Sequence, residues 1–504
     1  MKIVTMYLPQ FYETEENSLW WGEGFTEWKT VNYATAFFEG HHQPRKPLHG
    51  RYYNLLDKET MLWQSDLMKK YHIFGQCFYH YWFKHGRQVL EKPAENLLKW
   101  KEIDMPFCFS WANESWVRSW SAMVDANIWA QNFEPSKNKT EGNGILLEQG
   151  YGTESDWKQH FEYLLPFFED SRYINIDGKP VFMIYRPDNI PRLSEMIQCW
   201  NQWGKNNGFP GIYFIGGNTS SKGNLDSIYI HATGSMFPIN DYKMNHSVKT
   251  ISYDTVWKHI IAQARIAEKG TYIGGIVDFD TTPRKGKNGV VIVDCNSSKY
   301  EKYLKKLLKL NEDLGNEITF INAWNEWGEG MYLEPDEKNS FAFLEATKNA
   351  LDTYLTEEIH NESKSDENKL LFFYKNRMEQ YKKNWQILDQ WLRRNQQKNS
   401  LIKTFNKMKI STIALYGLGM LGEHLIAELK ETNILILYAI DIRKQGIERE
   451  LPVLGLNDDF PKVDAIIVSV INEFDEITKL LSKKTNIPII SLETIVFEQE
   501  CEGE

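Results

Sequence analysis

The chain has 504 residues, which is long enough for two or three domains. Its apolar content of 42% and charged content of 25% are typical of a soluble globular protein, and its net charge of -10 argues against a nucleic-acid partner. No uninterrupted apolar stretch of 18 residues occurs, so no transmembrane segment is predicted.

The cysteines and the N-terminus bear on the cellular compartment. The five cysteines are scattered and form no CxxC pair: Cys77, Cys108, Cys199, Cys295 and Cys501. Cys77 and Cys108 lie in apolar, strand-like runs, which is typical of buried free thiols in a reducing compartment. The first residues lead directly into a predicted strand, without the basic-then-apolar pattern of a signal sequence. We therefore expect a cytoplasmic protein whose membrane contacts, if any, are made through partners.

Residues 1–356 alternate short apolar runs with longer amphipathic runs. The apolar runs predict eight strands: Ile3–Leu8, Ile73–Tyr81, Pro106–Trp111, Pro180–Tyr185, Gly211–Gly216, Ser227–Thr233, Tyr272–Phe279 and Ile318–Ala323. The amphipathic runs predict helices between most of them: Lys58–Tyr71, Ala94–Lys101, Glu154–Glu169, Pro191–Asn207, Thr255–Lys269, Ser298–Leu314 and Phe341–Tyr354. Eight strand–helix units in this length predict an α/β fold whose N-terminal domain, residues 1–356, is a (β/α)8 TIM barrel.

Polar and aromatic residues collect where the predicted strands end, and the chemistry of such barrels lies at the carboxyl ends of the strands. Candidate substrate-binding residues at these ends are Tyr7, Gln10, His80, Tyr81, Trp82, Trp111, Asn113, Glu114, Tyr185 and Arg186. The loop after the first strand is unusually long, and we expect a lid or a wall of a sugar subsite there. Its candidate binding residues are Trp21, Glu27 and Trp28. The alternative is a loop that only plugs one end of the barrel.

The eighth predicted strand runs into the segment Ile321–Gly330, which carries two glutamates three residues apart. Glycines in this segment allow the chain to curl, so that Glu326 and Glu329 face one cavity beside Asn325 and Trp327. A protonated acid and a base or nucleophile are what a glycosidic bond requires, so we predict Glu326 and Glu329 as the catalytic pair. Both a retaining and an inverting geometry fit this spacing. The alternative is a surface loop with two solvated acids.

Glu114 is a competing acid, because an Asn-Glu pair ends the third predicted strand. Asn113 can hold a sugar hydroxyl while Glu114 donates a proton, binds a second hydroxyl or makes a structural hydrogen bond. No HxH or HExxH spacing occurs, so His80 and His231 do not predict a metal site. Arg284 follows the seventh strand and is a candidate for binding a carboxylate, a phosphate or a nucleotide diphosphate, or for neutralising Asp278 or Asp280.

Residues 357–408 differ in composition from the barrel. Asn361–Lys369 is polar and charged, which predicts a linker. Leu370–Met408 has apolar residues at helical spacing, which predicts one long helix. This helix can form a homodimeric coiled coil or pack on its own barrel, and the spacing leaves both open.

Residues 409–504 predict a small Rossmann-like α/β domain. Its predicted strands are Ser411–Tyr416, Leu435–Ile440, Val463–Val470 and Ile487–Ser491. A GxGxxG turn formed by Gly417, Gly419 and Gly422 follows the first strand and opens a helix, and Asp441 ends the second strand. These residues are a candidate site for a nucleotide or nucleotide-sugar. The alternative is a domain that only packs, since it is about half the size of a full dinucleotide-binding fold.

Five segments in order resemble the WbsX family, which is itself similar to glycoside hydrolase family 99, the endo-α-mannosidases. They are Tyr7–Phe11, Trp20–Trp28, Phe78–Trp82, Trp111–Glu114 and Asn325–Gly330. The resemblance covers about residues 1–355 and implies a (β/α)8 barrel. It also implies an association with bacterial cell-surface polysaccharide clusters, such as those for O-antigen, lipopolysaccharide or capsule, in which WbsX-like proteins are often called glycosyltransferases.

The resemblance also implies roles for the two glutamates. Glu326 would deprotonate the sugar 2-hydroxyl to give a 1,2-anhydro intermediate, and Glu329 would act as general acid and then as base. Gly328 departs from family 99, because the endo-mannosidases usually carry histidine at that place, and this changes a contact to the leaving sugar. The C-terminal domain is a second departure, and it looks like the small nucleotide-sugar-binding domains of sugar-modifying enzymes.

We therefore expect an enzyme that acts on a glycosidic bond by transfer or hydrolysis, with an oligo- or polysaccharide substrate and no cofactor required for catalysis. Its partners would be a second copy of the chain or other proteins of polysaccharide assembly. Two other functions stay open: an inactive sugar-binding scaffold, and an NAD-dependent sugar oxidoreductase that uses the C-terminal domain.

Overall fold

The computed structural model describes residues 1–117, 145–219, 222–232, 237–238, 241–355, 382–397, 400–441, 451–456 and 458–498. The chain divides into two compact units, Met1–Glu367 and Asn368–Glu504. Each unit contains a parallel sheet, so the predicted α/β class is confirmed.

Eight parallel strands close into a barrel in the first unit. They are β1 (Lys2–Tyr7), β2 (Gly75–Trp82), β3 (Phe107–Trp111), β4 (Lys179–Ile184), β5 (Tyr213–Gly217), β6 (Ser227–Ile230), β7 (Thr271–Ile273 with Gly275–Ile276) and β8 (Ile318–Asn322). Each strand pairs with the next, and β8 pairs with β1. The first part of β7 pairs with β6 and the second part with β8, which closes the ring. The predicted TIM barrel is therefore confirmed.

Helices surround the barrel within three residues of their predicted bounds. They are Lys58–Lys70, Lys92–Lys99, Glu154–Phe168, Leu193–Asn206, Tyr253–Ile266, Ser297–Asp313 and Ala342–Thr353. Local capping fixes several of their starts: Ser252 accepts a hydrogen bond from the Thr255 amide at 3.1 Å, and Asn296 accepts one from the Lys299 amide at 3.0 Å. The apolar faces of helices and strands form one continuous core that includes the fully buried Trp200.

Two parts of the first unit were not predicted in this form. The loop after β1 is ordered by the helices Glu15–Trp21 and Glu27–Asn32. A separate three-stranded sheet, made of Lys243–Asn245, Val248–Ser252 and Val290–Val293, lies outside the barrel sheet. Two of its strands lie between β6 and β7 in the sequence, and the third follows β7. Their apolar runs are too short for the sequence to assign them to a separate sheet.

The second unit has five parallel strands. They are β9 (Thr412–Tyr416), β10 (Leu435–Ile440), β11 (Val453–Leu454), β12 (Ala465–Val468) and β13 (Ile489–Ser491), arranged in the order β11-β10-β9-β12-β13. This is the order of the first five strands of doubly wound dinucleotide-binding folds. The helices Leu401–Lys407, Met420–Leu429, Phe474–Leu481 and Leu492–Phe497 accompany the sheet. The two-residue strand β11 was not predicted.

The helix predicted over Leu370–Met408 is interrupted. Residues 382–396 are helical, and a new helix begins after Ser400, whose extended backbone and side chain cap it. Ile387 and Trp391 belong to the buried core of the second unit, so the described part of this helix packs within that unit. The predicted linker and the first part of the predicted helix lie outside the described residues. No described helix is both long enough and apolar enough to span a bilayer.

Candidate active site

The segment after β8 curls tightly and brings its two glutamates to one side. Asn325–Glu326 pairs antiparallel with Met331–Tyr332, and Trp327–Glu329 forms one turn of 3-10 helix between them. Gly330 ends this turn at a φ of 64°, in the left-handed region that glycine enters without steric penalty. The curl expected from the glycines is therefore present.

Arg284 holds three carboxylates at once. It lies in a short helix just past β7. Its Nη2 donates to Glu326 Oε2 at 3.0 Å, its Nη1 to Glu329 Oε1 at 2.6 Å, and its Nε to Glu27 Oε1 at 2.8 Å. The Glu27 and Glu326 side chains are 3% and 8% exposed, whereas Glu329 is 27% exposed. The first loop and the ends of β7 and β8 thus meet at one guanidinium. We call these four residues the Arg284 cluster.

The Arg284 cluster has more negative than positive groups. Burial, together with the charges of Glu329 and Glu27, raises the pKa of Glu326 to about 8, although Arg284 opposes the shift. A carboxyl group with this pKa keeps its proton near pH 7. A buried acid that holds a proton beside a second, more exposed carboxyl group is what acid–base chemistry on a glycosidic bond uses.

The two faces of β2 point to different surroundings, as side-chain alternation along a strand requires. Tyr79 and Tyr81 lie on the face turned toward Glu326. Burial and the charge of Glu326 raise the pKa of both phenols. The predicted binding residue Tyr81 therefore faces the Arg284 cluster, and we call the side of the barrel end that Tyr81 and this cluster share the cleft.

The predicted binding residues His80, Trp82 and Trp111 pack on the helix that follows β3. His80 Nε2 lies 2.8 Å from His160 Nε2, Trp82 stacks on His160 at 4.5 Å between ring centroids, and Trp111 meets it edge-on at 4.9 Å. A cavity of about 130 Å³ opens beside Trp82, Trp111 and His160. The structure thus places these three residues on the far side of the strands from the Arg284 cluster.

Glu114, Tyr185 and Arg186 form a polar group beside the cleft. Arg186 Nε donates to Glu114 Oε1 at 3.1 Å. Burial raises the pKa of Tyr185 to about 12, and the charges of Glu114 and Glu329 contribute to this shift. Tyr185 therefore lies within electrostatic range of both Glu114 and the catalytic candidate Glu329.

His231, a polar residue at the end of the sixth strand with no metal-ligand spacing, is a further candidate for the site. It is almost fully buried, and neither of its ring nitrogens has a hydrogen-bond partner in the described part of the chain. Burial lowers its pKa to about 3, so the ring is neutral and offers one donor and one acceptor. Its ring centroid lies 4.1 Å from that of Tyr229 and 5.0 Å from that of Tyr185. Since buried polar atoms are normally paired, His231 is a candidate for contact with a sugar hydroxyl.

Two predicted substrate-binding asparagines hydrogen-bond to the backbone of neighbouring strand ends. Asn325 accepts from the Leu8 amide at 2.8 Å and donates to the Leu8 carbonyl at 3.0 Å. Asn113 accepts from the Arg186 amide at 2.7 Å and donates to its carbonyl at 2.8 Å. Each side chain therefore adds two hydrogen bonds between neighbouring strand ends and holds in place the loops that carry the site.

The predicted aromatic residues of the turn and the first loop lie behind the carboxylates. Trp327 is fully buried, stacks on Tyr332 at 3.7 Å and lies 5.4 Å from Trp28. Its Nε1 donates to Glu334 Oε2 at 2.7 Å, and the Tyr53 hydroxyl donates to the same oxygen at 2.8 Å. Burial raises the pKa of Glu334 to about 7. This network holds the back of the turn that carries Glu326 and Glu329.

Three further predicted binding residues occupy different surroundings. Tyr7 is fully buried, and its hydroxyl donates to Gln64 Oε1 at 2.7 Å. Gln10 is half-buried, and its carbonyl accepts from the Glu27 amide at 3.1 Å. Trp21 is half-buried and lies 6.2 Å from Phe25 between ring centroids. Gln10 therefore supports the helix that begins with Glu27.

The loop after β1 is fastened to the carboxyl end of β7. His41 Nε2 lies 2.8 Å from Asp280 Oδ2, and Arg45 Nη1 donates to Asp278 Oδ2 at 2.9 Å. Arg45 and His41 thus face the two aspartates, for which the sequence also offered Arg284 as a counter-ion. The region expected to be a lid or a wall is in this way held against the end of β7.

In the second unit the predicted glycine-rich turn is partly filled by its own chain. The Leu418 amide donates to Asp441 Oδ2 at 3.1 Å. A Cβ atom at Gly422 would lie 2.3 Å from the Gly417 carbonyl oxygen, whereas Gly419 has open space beside it. Among the described residues no group of three or more His, Cys, Asp or Glu side chains is arranged to hold a metal ion.

Solved structures of similar proteins include glycoside hydrolases. The GH99 endo-α-mannosidase from Bacteroides thetaiotaomicron is 15% identical, with a TM-score of 0.39 over 70% of this chain and 97% of that chain. A protein described as glycoside hydrolase-like is 12% identical, with a TM-score of 0.43 over 69% of this chain and 93% of that chain.

Comparison by sequence identifies relatives named WxcX and a family model named WbsX. The uncharacterized protein WxcX of Xanthomonas campestris pv. campestris strain B100 is 29% identical over 365 residues, which are 69% of this chain and 49% of that protein. The chain thus spans about half the length of the curated relatives it matches. A family model described as Glycosyltransferase WbsX matches residues 3–347. Because this match covers well over half of the residues, the chain belongs to the WbsX glycosyltransferase family.

Proposed function

We propose that the protein makes or breaks a glycosidic bond in the biosynthesis of a bacterial cell-surface polysaccharide, with Glu326 and Glu329 as its acid–base pair. The observation that carries this proposal is the shared guanidinium: Arg284 donates to both carboxylates, at 3.0 and 2.6 Å. Two nitrogens of one guanidinium bring the carboxyl groups side by side. This proximity supports the action of both groups on one sugar residue, and two successive displacements at the anomeric carbon would retain its configuration.

The roles of the two glutamates are those that the family resemblance implies, and they require the single proton of the pair to lie on Glu329 when the sugar is bound. Glu326, then ionised, would take the proton of the sugar 2-hydroxyl, whose oxygen attacks the anomeric carbon. The bond to the leaving oxygen breaks as Glu329 protonates that oxygen. An acceptor hydroxyl, whose proton goes to Glu329, then opens the 1,2-anhydro ring, and the 2-oxygen regains a proton from Glu326. A sugar acceptor gives transfer, and water gives hydrolysis.

The test is a mass-spectrometric turnover screen that compares nucleotide-sugar donors plus acceptors with oligosaccharides alone. Glu326→Gln and Glu329→Gln should each lower the rate by about 10²–10⁴-fold. Glu317→Gln is the matched control, because its side chain is 81% exposed and outside the cleft. Product without a donor identifies a hydrolase, and product only with a donor identifies a transferase. Full activity in both cleft variants would refute the pair, and the absence of any turnover would favour an inactive sugar-binding scaffold.

We also propose that the second unit binds a nucleotide or nucleotide-sugar. Its strand order β11-β10-β9-β12-β13 and the open space beside Gly419 support this proposal. Nucleoside diphosphate sugars and NAD should be compared by equilibrium dialysis against the full chain. Binding of NAD with quenching of nicotinamide fluorescence would favour an oxidoreductase, and binding of neither would refute a ligand role for this turn.

A further inference from the structure

Glu27 is bound to the Arg284 cluster from a distant part of the chain. It begins the helix Glu27–Asn32 in the loop after β1, and its amide is held by the Gln10 carbonyl. Its carboxylate is 3% exposed and accepts from Arg284 Nε at 2.8 Å. A carboxylate turned inward onto a guanidinium in this way acts through that guanidinium, not by direct contact with a sugar.

Gly328 stands between the two catalytic candidates and faces Glu27. A Cβ atom built at Gly328 would lie 1.7 Å from Glu27 Oε1 and 2.8 Å from Arg284 Nε. The backbone there is not in the left-handed region, so the need for glycine comes from this close approach alone. The Glu27 carboxylate therefore occupies the space that any side chain at position 328 would require.

The charged groups around Glu326 come from several elements. Arg284 is the positive neighbour, and the negative ones are Glu329 from the same turn and Glu27 from the first loop. Tyr79 and Tyr81 face it from β2. Removal of the Glu27 charge would take away one repulsive neighbour and would free one arm of Arg284 for the two remaining carboxylates.

We propose that Glu27 is a positioning residue that orients Arg284 and thereby fixes the place and charge of Glu326 and Glu329, and that Gly328 is glycine to admit it. This inference rests on the proposed function for its effect on turnover. The contact between Glu27 and Gly328 does not depend on that function.

The contact is tested by a melting cycle on the full chain, which needs no substrate. Gly328→Ala should lower the Tm by several degrees in the wild-type background and by much less when combined with Glu27→Ala, because the smaller side chain vacates the space. Glu23→Gln, an exposed acid of the same loop, is the control and should leave the Tm unchanged. Equal losses in the two backgrounds would overturn the contact.

The positioning role is tested by the pH profile of turnover. Glu27→Gln should lower kcat by about 10²-fold with little change in KM, since a small misplacement of catalytic groups has this effect. It should also move the alkaline limb of the profile to lower pH. An unmoved limb, or a change in KM alone, would overturn the positioning role. If the wild type turns over no sugar, the proposed function fails and this role with it, while the melting cycle still decides the contact.

Discussion

Activity is expected to depend on one proton held by the Glu326–Glu329 pair. An acid and a base on the same bond need the pair to carry one proton in total, whichever carboxyl group holds it. The pKa of Glu326 is raised to about 8, mainly by burial. The rise from the ordinary value of about 4.3 corresponds to roughly 5 kcal/mol of preference for the protonated form.

This pKa sets the alkaline limb of the rate profile. Roughly 90% of molecules retain the proton at pH 7 and roughly 10% at pH 9, so kcat/KM should fall about tenfold between these values. The fall comes from loss of the acid, because a fully ionised pair has no proton to give to the leaving oxygen.

The assay is kcat/KM from pH 5 to 10 with the substrate that the turnover screen identifies. Circular dichroism at each pH confirms that the protein stays folded. Glu317→Gln should reproduce the wild-type profile, because its side chain is exposed. An alkaline limb below about pH 6 would contradict the shared proton, since ordinary carboxyl groups are ionised there.

Three further substitutions probe the surroundings of the pair. Arg284→Lys should lower kcat/KM by about 10²-fold, because an ammonium group cannot reproduce the planar fork that holds three carboxylates; an unchanged steady-state rate would contradict this. Glu334→Gln should flatten the pH dependence of stability. The pKa of Glu334 is about 7 in the folded protein, above its value in the unfolded chain, so its stabilising effect is complete below about pH 4 and is lost as pH rises through 7. Melting at pH 5 and pH 7.5 measures this, and an equal slope in the variant would count against it. His231→Phe should raise KM several-fold while leaving the Tm within about 2 °C, as an aromatic ring still packs against Tyr229 and Tyr185; an unchanged KM would remove His231 from the binding site.

The barrel was predictable because its strands are buried on both sides. Runs such as Ile318–Ala323 are mostly apolar and show no alternating polar face, and eight such strands between helices are typical of a (β/α)8 barrel. The curl of the turn that carries Glu326 and Glu329 was predictable for a local reason, since two glycines lie within it. The contact of both glutamates with Arg284 is a structural finding that supports the predicted pair without testing it.

Which face of a strand lines the cleft could not be predicted where both faces carry aromatic residues. The run Phe78–Trp82 alternates correctly, but alternation assigns His80 and Trp82 to one face without saying which face is inside. The same limit applies to residues 382–396. Their spacing indicated a helix, whereas the burial of Ile387 and the exposure of Trp385 depend on the core of the second unit.

Gly328 and Glu27 lie far apart in the sequence but meet at the Arg284 cluster. Glycine at position 328 leaves a gap in the turn that carries Glu326 and Glu329. Glu27 fills that gap from a loop near the N-terminus, 257 residues away from its partner Arg284 in the chain. A change at either position alone creates a clash or an empty, charged space, whereas a joint change preserves packing. Residue 328 and residue 27 should therefore be altered together in any variant that places a side chain on this turn.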